Sequence, residues 1–537
     1  MKSRVQIEFG DFQTPANLAR QICELLRRKQ VIPEFVIEPT CGTGAFLVAS
    51  TEFFPRATLR GWDINSDYVR QTTAALHRAG AGARAAVECS NFFTHDWESE
   101  LEELPGELLI LGNLPWVTNS TASAIDGKNL PTKENFLNLR GLAARTGKAN
   151  FDISEWMLIQ LVRALRGRIA TIAMLCKTAT ARKLLRYAWQ NDGRIHEASL
   201  YRIDAAEHFE ASVGACLLLA RTGAAGPREA DVYESLATPR PASRIGLAGQ
   251  DLVADIRTYR KLQHLEGLCS FQWRSGVKHD CVSVMELKPV GEGVVENKMG
   301  ERIMLEPDCL YPLLKCSDIA NGRTTPERLV LVTQQNVGDD TSGLARSSPR
   351  TWNYLQSHSG KLNARKSSIY KSGASFALFG IGDYAFAPWK VAVSGLHRTA
   401  RFQVVGPFQN RPVFLDDTCY FLPFENHRQA QLIADILNSP PCQQFIQALL
   451  FNDIKRPITV ELLQRLNLNV IASEAGFEPR WRAMRNANYR FASAVPQYEM
   501  VMEKEKSVGR KGLAKSVSTS YTNPHHSRKK PRIKAGH

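Results

Sequence analysis

An apolar run, Leu108-Leu109-Ile110-Leu111, stops at Gly112-Asn113-Leu114-Pro115-Trp116, so a primary amide, a proline and a tryptophan close what reads as a strand. In an open α/β sheet, ligands sit beyond the carboxyl ends of the strands, which aims Asn113 at a pocket. Further upstream, residues 35–49 read FVIEPTCGTGAFLVA: a buried strand, the acid Glu38, the turn Thr40-Cys41-Gly42-Thr43-Gly44, then a helix. Glycines at such a turn let the backbone approach a ligand closely, and the helix N-terminus favours a negative group. The following strand candidate ends at Asp63, where a carboxylate is placed to hydrogen-bond two ribose hydroxyls. Together these residues suit a nucleoside-bearing ligand held beside a reactive amide, although a strand–glycine–helix turn alone occurs in many α/β proteins.

A dinucleotide site would carry G-x-G-x-x-G, whereas this turn reads E-P-x-C-G-x-G-x-F. The pattern resembles the nucleoside-binding motif of S-adenosylmethionine-dependent methyltransferases. That resemblance implies S-adenosylmethionine as cofactor. It places Glu38, Thr40, Gly42 and Gly44 at the methionine end with Phe46 behind them, Asp63 and Ile64 at the ribose, and Asn91-Phe92 at the adenine ring.

Gly112-Asn113-Leu114-Pro115-Trp116 resembles the (N/D)-P-P-(Y/F/W) motif of amino-methyltransferases, with Leu114 replacing the first proline. In that family the asparagine oxygen and the next residue's carbonyl accept the two hydrogens of the target amine. The resemblance gives these roles to Asn113 and Leu114. Pro115 stiffens the loop, and Trp116 offers a face to an extruded base; taken alone, core packing is the commoner fate of a tryptophan at a strand end. Gly10-Asp11-Phe12-Gln13-Thr14-Pro15 resembles the segment that closes over the methionine carboxylate in DNA adenine methyltransferases. His208-Phe209-Glu210-Ala211-Ser212-Val213 resembles the one whose phenylalanine, here Phe209, packs on the base's other face, core packing being the alternative. Phe151-Asp152 opens a helix, where Asp152 serves as an N-cap or touches the cofactor.

These residues need a parallel sheet to hold them. Strands are predicted at 34–38, 57–62, 84–89, 107–112, 167–176, 194–202 and 212–220, with helices such as 16–29, 66–79 and 153–166 between them, an alternation that marks a sheet wrapped by helices. The expected architecture is a Rossmann-like class I methyltransferase domain, α/β with a mostly parallel seven-stranded sheet, over residues 1–222. A Gly/Pro/Ala-rich linker, 223–250, then leads to an α+β target-recognition domain, 251–480. There, aromatic and basic residues interleave: Trp273-Arg274, Lys278-His279, Trp352, Arg365-Lys366, Tyr370-Lys371, Trp389-Lys390, His397-Arg398. A helical extension (481–503) and a basic tail (504–537), expected to be disordered, complete the chain.

Of the net charge of +15, about +9 lies in that tail, which holds ten Lys/Arg and one acid. Such a balance favours a polyanion, nucleic acid before anionic membrane. Eleven scattered cysteines without a C-x-x-C pair argue against a disulfide framework and structural zinc. The absence of an apolar leader or of a run near ~18 apolar residues points to a soluble cytoplasmic protein without a membrane partner.

The layout, catalytic motifs first and a large second half after them, resembles bacterial restriction–modification adenine methyltransferases. Leu437-Asn438-Ser439 and Asn452-Asp453-Ile454-Lys455-Arg456-Pro457-Ile458-Thr459 resemble the closing elements of their recognition domains. The function implied is transfer of a methyl group to N6 of a flipped adenine in double-stranded DNA, with a separately encoded restriction endonuclease as a further partner. N4-cytosine methylation and a fused restriction–modification enzyme are the alternatives. Against fusion, no nuclease domain fits before Phe9, and Glu286-Leu287-Lys288 has its nearest upstream acid at Asp280, too close for a metal-dependent nuclease. No metal is expected at His279-Asp280, which lacks further ligands in spacing. Arg274, Lys278, Lys455 and Arg456 are the expected DNA contacts.

Overall fold

The computed structural model describes residues 12–116 and 152–485, apart from 166, 192, 193, 292 and 372. Gly10-Asp11, Phe151, most of the 481–503 extension and the 504–537 tail lie outside the described residues.

The first half alternates as the apolar pattern requires. β1 (Phe35–Glu38), β2 (Thr58–Asp63), β3 (Ala85–Cys89), β4 (Leu108–Asn113) and β5 (Ala170–Lys177) are joined through helices that include α1 (Ala16–Arg28), α2 (Ala45–Phe53), α3 (Ser66–Arg78) and α4 (Ile153–Ala164). After β5 come α5 (Thr178–Gln190), β6 (His196–Ile203), α6 (Ala205–Phe209) and β7 (Ala215–Thr222). β4 is buried along Leu108–Gly112, which is why it reads as an unbroken apolar run; parallel strands are covered on both faces.

The strands lie in the order β3-β2-β1-β4-β5-β7-β6. The first five are mutually parallel, and β7 runs antiparallel between β5 and β6. This is the mostly parallel seven-stranded arrangement that the sequence leads one to expect. Strand order reverses between β1 and β4, so their carboxyl ends open onto one crevice. One face of the sheet packs Ile37, Ile110 and Met174 against α4 residues Met157 and Leu158, and the other packs Val36, Leu109 and Leu111 against Ile22, Phe46 and Leu47.

Residues 223–250 are not a linker. β8 (Glu229–Tyr233), β9 (Ser243–Ala248) and β10 (Asp251–Val253) carry the sheet on past β6 to ten strands. The Gly/Pro-rich residues fall in the turns between these strands, whereas Ala230, Val232 and Ile245 point into the core that also holds Leu200 and Leu218. Loop composition therefore masked short strands whose pairing comes from a neighbour already in the sheet.

The second half is α+β, as expected. A four-stranded antiparallel sheet takes Arg274–Ser275, Cys419–Phe424, Trp389–Ser394 and Gln403–Val405 in that order, and a six-stranded mixed sheet is built from strands between Glu286 and Leu415. Helices His427–Leu437 and Pro440–Leu449 follow. Among the described residues no helix is long and apolar enough to cross a membrane.

Candidate active site at the carboxyl edge of the sheet

The turn after β1 is shaped by its two glycines. Gly42 has φ +50° and Gly44 φ +83°, a backbone region that glycine adopts without penalty. Side chains would also collide there: a Cβ on Gly42 would stand 2.5 Å from Gln13 Oε1, and one on Gly44 2.5 Å from Thr72 Cγ2. Four hydrogen bonds fix the loop. Gly42 N donates to Asp63 Oδ2 at 2.8 Å, Thr43 N and Oγ1 each donate to Gln13 Oε1 at 3.0 Å, and Thr72 Oγ1 donates to the Gly42 carbonyl at 2.9 Å.

A cavity of about 350 Å³ opens beside this turn, within the roughly 300–1,000 Å³ usual for small-molecule sites. Of the residues singled out from the sequence, Thr14, Glu38, Thr40, Gly42, Asp63, Ile64, Asn91, Phe92, Asn113 and Pro115 line it. They arrive from the ends of β1, β2, β3 and β4 and from the segment ahead of α1, so one crevice gathers positions spread over a hundred residues. Gly44 sits at the N-cap of α2 and Pro15 at that of α1, and Phe46 is fully buried behind the turn. These three shape the wall from outside the lining.

Electrostatics single out two groups. Glu38 is buried with Oε2 unpartnered; burial, then the nearby Asp63 charge, push its carboxyl well above the usual carboxylate range, against a hydrogen bond from the Leu47 backbone. A cationic group entering the cavity would reverse that penalty. Asn113 donates through Nδ2 to the Phe12 carbonyl at 3.1 Å, while its buried Oδ1 has no partner. An unmet buried acceptor costs free energy until a donor reaches it. Asn91 Oδ1 accepts from Phe93 N at 3.0 Å, closing a turn that sets Phe92 against the cavity.

The base-gripping roles expected of Trp116 and Phe209 change. Trp116 is 6% exposed and Phe209 5%. Their rings meet at a centroid distance of 4.9 Å and 62°, with Phe12 alongside at 5.9 and 6.4 Å. Both are core residues in this state, because β4 and α6 converge on the apolar side of the sheet. A base about 3.4 Å thick finds no slot between them here. Leu114 is likewise a core side chain, 1% exposed; only its carbonyl is left for chemistry. Asp152 is the N-cap of α4, its side chain accepting from Ser154 N.

The basic residues of the second half divide. Arg274, on the edge strand of the four-stranded sheet, is 6% exposed with its guanidinium 4.6 Å from the Tyr384 ring centroid, and this packing withdraws it from any phosphate. Trp273, His279, Arg365 and Lys390 are buried too, and Lys390 Nζ donates to the Ala387 carbonyl. Lys278 and Arg456 reach the surface and share Asp417, at 3.7 and 3.6 Å, with Asp280 also 3.2 Å from Lys278. Lys455 is exposed beside them.

The sequence reading missed Phe12 and Gln13, although both stand inside the segment it quoted, and it missed Tyr68 and Met157 in the cavity wall. It also missed Lys177. At the end of β5, Lys177 Nζ donates to the Trp116 carbonyl at 3.0 Å and pairs with Asp152 at 2.5 Å, tying down the turn that follows Asn113. No local signal marks such a lysine.

No protein-family model matches the chain. The Type II methyltransferase M.NspV of Nostoc sp. (strain ATCC 29411 / PCC 7524) is 40% identical over 476 residues, which is 87% of this chain and 98% of that protein. Among solved structures, the Type IIL restriction-modification enzyme MmeI in complex with DNA aligns with 96% of this chain and 74% of its own at 14% identity and TM-score 0.49. The M protein of the Type I restriction enzyme EcoKI covers 41% of this chain and 48% of its own, at 14% identity and TM-score 0.29. With the methyltransferase sheet, the glycine turn and identity sustained over nearly the whole relative, this chain belongs to the type II methyltransferases, the S-adenosylmethionine-dependent modification enzymes of restriction–modification systems.

Proposed function

We propose that the chain methylates N6 of an adenine extruded from double-stranded DNA. The observation that carries this reading is the state of Asn113, a residue of the cavity wall: its amide nitrogen is committed to the Phe12 carbonyl, and its buried oxygen is an acceptor without a donor. An exocyclic amine supplies that donor.

Such an amine is a poor nucleophile because its lone pair is delocalised into the ring. Asn113 Oδ1 and the Leu114 carbonyl would accept hydrogen bonds from its two N–H groups and hold the nitrogen with its lone pair turned to the cavity, a positioning that supplies much of the rate. Bound S-adenosylmethionine supplies a methyl carbon on a sulfonium centre, so neither a metal nor a covalent enzyme intermediate is required. Glu38 would meet the cofactor's ammonium, Thr14 and the Gly42–Gly44 turn the rest of the methionine end, Asp63 and Ile64 the ribose, and Asn91 and Phe92 the adenine. Both Asp63 oxygens already accept backbone N–H groups, from Gly42 and from Asn65 at 2.8 Å each; a carboxylate oxygen has lone pairs for a further donor.

Sequence recognition is assigned to residues 251–480, with Lys278, Lys455 and Arg456 as positioning contacts to phosphate. The 504–537 tail would add salt-sensitive affinity without base readout. Deleting 505–537 should then weaken DNA binding at low salt and leave the methylated sequence unchanged.

Adenine is favoured over cytosine by the asparagine at position 113 and by the motif order, since the N4-cytosine enzymes commonly begin this motif with Ser or Asp. The test is digestion of DNA from cells expressing the chain, followed by mass spectrometry of the nucleosides and mapping of modified sites. N6-methyladenine at one sequence is the expected product. N4-methylcytosine, or no modified base, would overturn the assignment.

A further inference from the structure

Eight large apolar side chains are exposed among the described residues, and two of them, Val213 and Ile454, flank one contact. Asp453 lies against Gly214: a Cβ on that glycine would stand 3.5 Å from Asp453 Cβ and 3.7 Å from its Oδ2. Gly214 closes the loop that begins at Phe209, and its carbonyl accepts from Thr178 N at 2.9 Å. Thr178 follows Lys177, the lysine that holds the Trp116 carbonyl. A short run of contacts thus joins the turn after Asn113 to the 451–456 segment of the second half.

That segment is tethered at both ends. On the catalytic side, Arg182 of α5, itself buried, pairs with Asp453 at 2.6 Å and lies 4.4 Å from the Phe451 ring centroid. On the other side, Arg456 pairs with Asp417 at 3.6 Å, between the strand at Phe414–Leu415 and that at Cys419–Phe424. A turn between, with Ile454 N donating to the Phe451 carbonyl at 3.4 Å, lifts Ile454 to the tip, 44% exposed. The exposed cations Lys455 and Arg456 come next.

Scattered surface hydrophobes are ordinary. An isoleucine on a doubly anchored turn, followed at once by two cations and joined through Gly214, Thr178 and Lys177 to the turn after Asn113, suits a specific use. Extraction of a base leaves a gap in the stack, and proteins that distort duplexes fill such gaps with apolar wedges. Building on the base-extrusion reading above, we propose that Ile454 enters the duplex where the target base leaves it, with Lys455 and Arg456 meeting the adjacent phosphates. Anchoring through Asp453 to Arg182 fixes the wedge relative to the catalytic half.

The test uses the full chain and a duplex carrying the mapped methylation sequence. The fluorescence of 2-aminopurine at the target adenine reports extrusion without needing methyl transfer. Ile454→Ala should lower both the fluorescence rise and kcat/KM on the matched duplex by at least about tenfold, with cofactor affinity unchanged, and Ile454→Leu should retain both. Opposite an abasic site, where no base pair has to be broken, Ile454→Ala should come within about twofold of wild type. Wild-type behaviour of Ile454→Ala on the matched duplex, or a deficit that persists undiminished opposite the abasic site, would overturn the wedge. Failure of the wild-type chain to form N6-methyladenine would instead overturn the functional reading beneath it.

Discussion

Asn113 Nδ2 donates to the carbonyl of Phe12, 101 residues earlier in the chain, at 3.1 Å. A carbonyl can only accept, so this bond commits the amide nitrogen and leaves the oxygen as the end without a partner. The tie makes Asn113→Asp a sharper test than removal. Aspartate keeps an acceptor oxygen but sets a second oxygen against the Phe12 carbonyl, which should turn the side chain away. Asn113→Ala should abolish transfer, and Asn113→Asp should lower kcat by at least about 100-fold. Both should bind cofactor as wild type does. Calorimetry and single-turnover methylation separate the two effects; undiminished methylation by Asn113→Ala would remove this residue from the chemistry.

Asp63 links two jobs. It accepts from Gly42 N and thereby holds the glycine turn, and it is the proposed ribose partner. Asp63→Ala should weaken S-adenosylmethionine binding by roughly 1.5–3 kcal/mol for a lost charged hydrogen bond. Equal affinities in mutant and wild type by titration calorimetry would rule out the second job.

Much of this site was legible because its signals are local. Seven strands show as apolar runs, and the residues that end β1, β2 and β4, namely Glu38, Asp63 and Asn113, stand out in the sequence and line one cavity in the structure. What stayed hidden depends on pairing at a distance. β8 to β10 are short and separated by Gly/Pro-rich turns, and only the edge of β6 makes them strands. Trp116 and Phe209 have the same residue types whether they grip a base or each other; here they touch. Arg274 looked like a phosphate contact because neither its strand nor the Tyr384 ring over which it lies can be read from its neighbours in sequence.

Lys177 bridges the Trp116 carbonyl and the carboxylate of Asp152, which joins the turn after Asn113 to the N-terminus of α4. Lys177→Met keeps length and apolar stem but loses both partners. The turn would then loosen, and small misplacements of a reacting group cost roughly 10- to 100-fold. The expected result is a drop of that size in kcat with cofactor affinity preserved. A weaker cofactor complex with kcat intact would show that Lys177 supports the binding wall instead.

Glu38 gives the chain a pH signature. Burial and Asp63 raise its carboxyl in the cofactor-free protein, so the folded state holds a proton that the unfolded chain has already released. The associated stability is present at low pH and is lost as pH rises from the ordinary carboxylate range through the raised value. Glu38→Gln has no proton to lose. Without cofactor, its melting temperature should therefore gain on that of the wild type as pH increases from about 5 to about 8. With saturating S-adenosylmethionine the order should reverse, because an ammonium beside the ionised carboxylate stabilises only the wild type. Melting curves of both proteins across this range, with and without cofactor, settle the matter: parallel curves in the absence of cofactor would mean that Glu38 is not the strained acid of this pocket, and equal stabilisation by cofactor would remove it from the ammonium site.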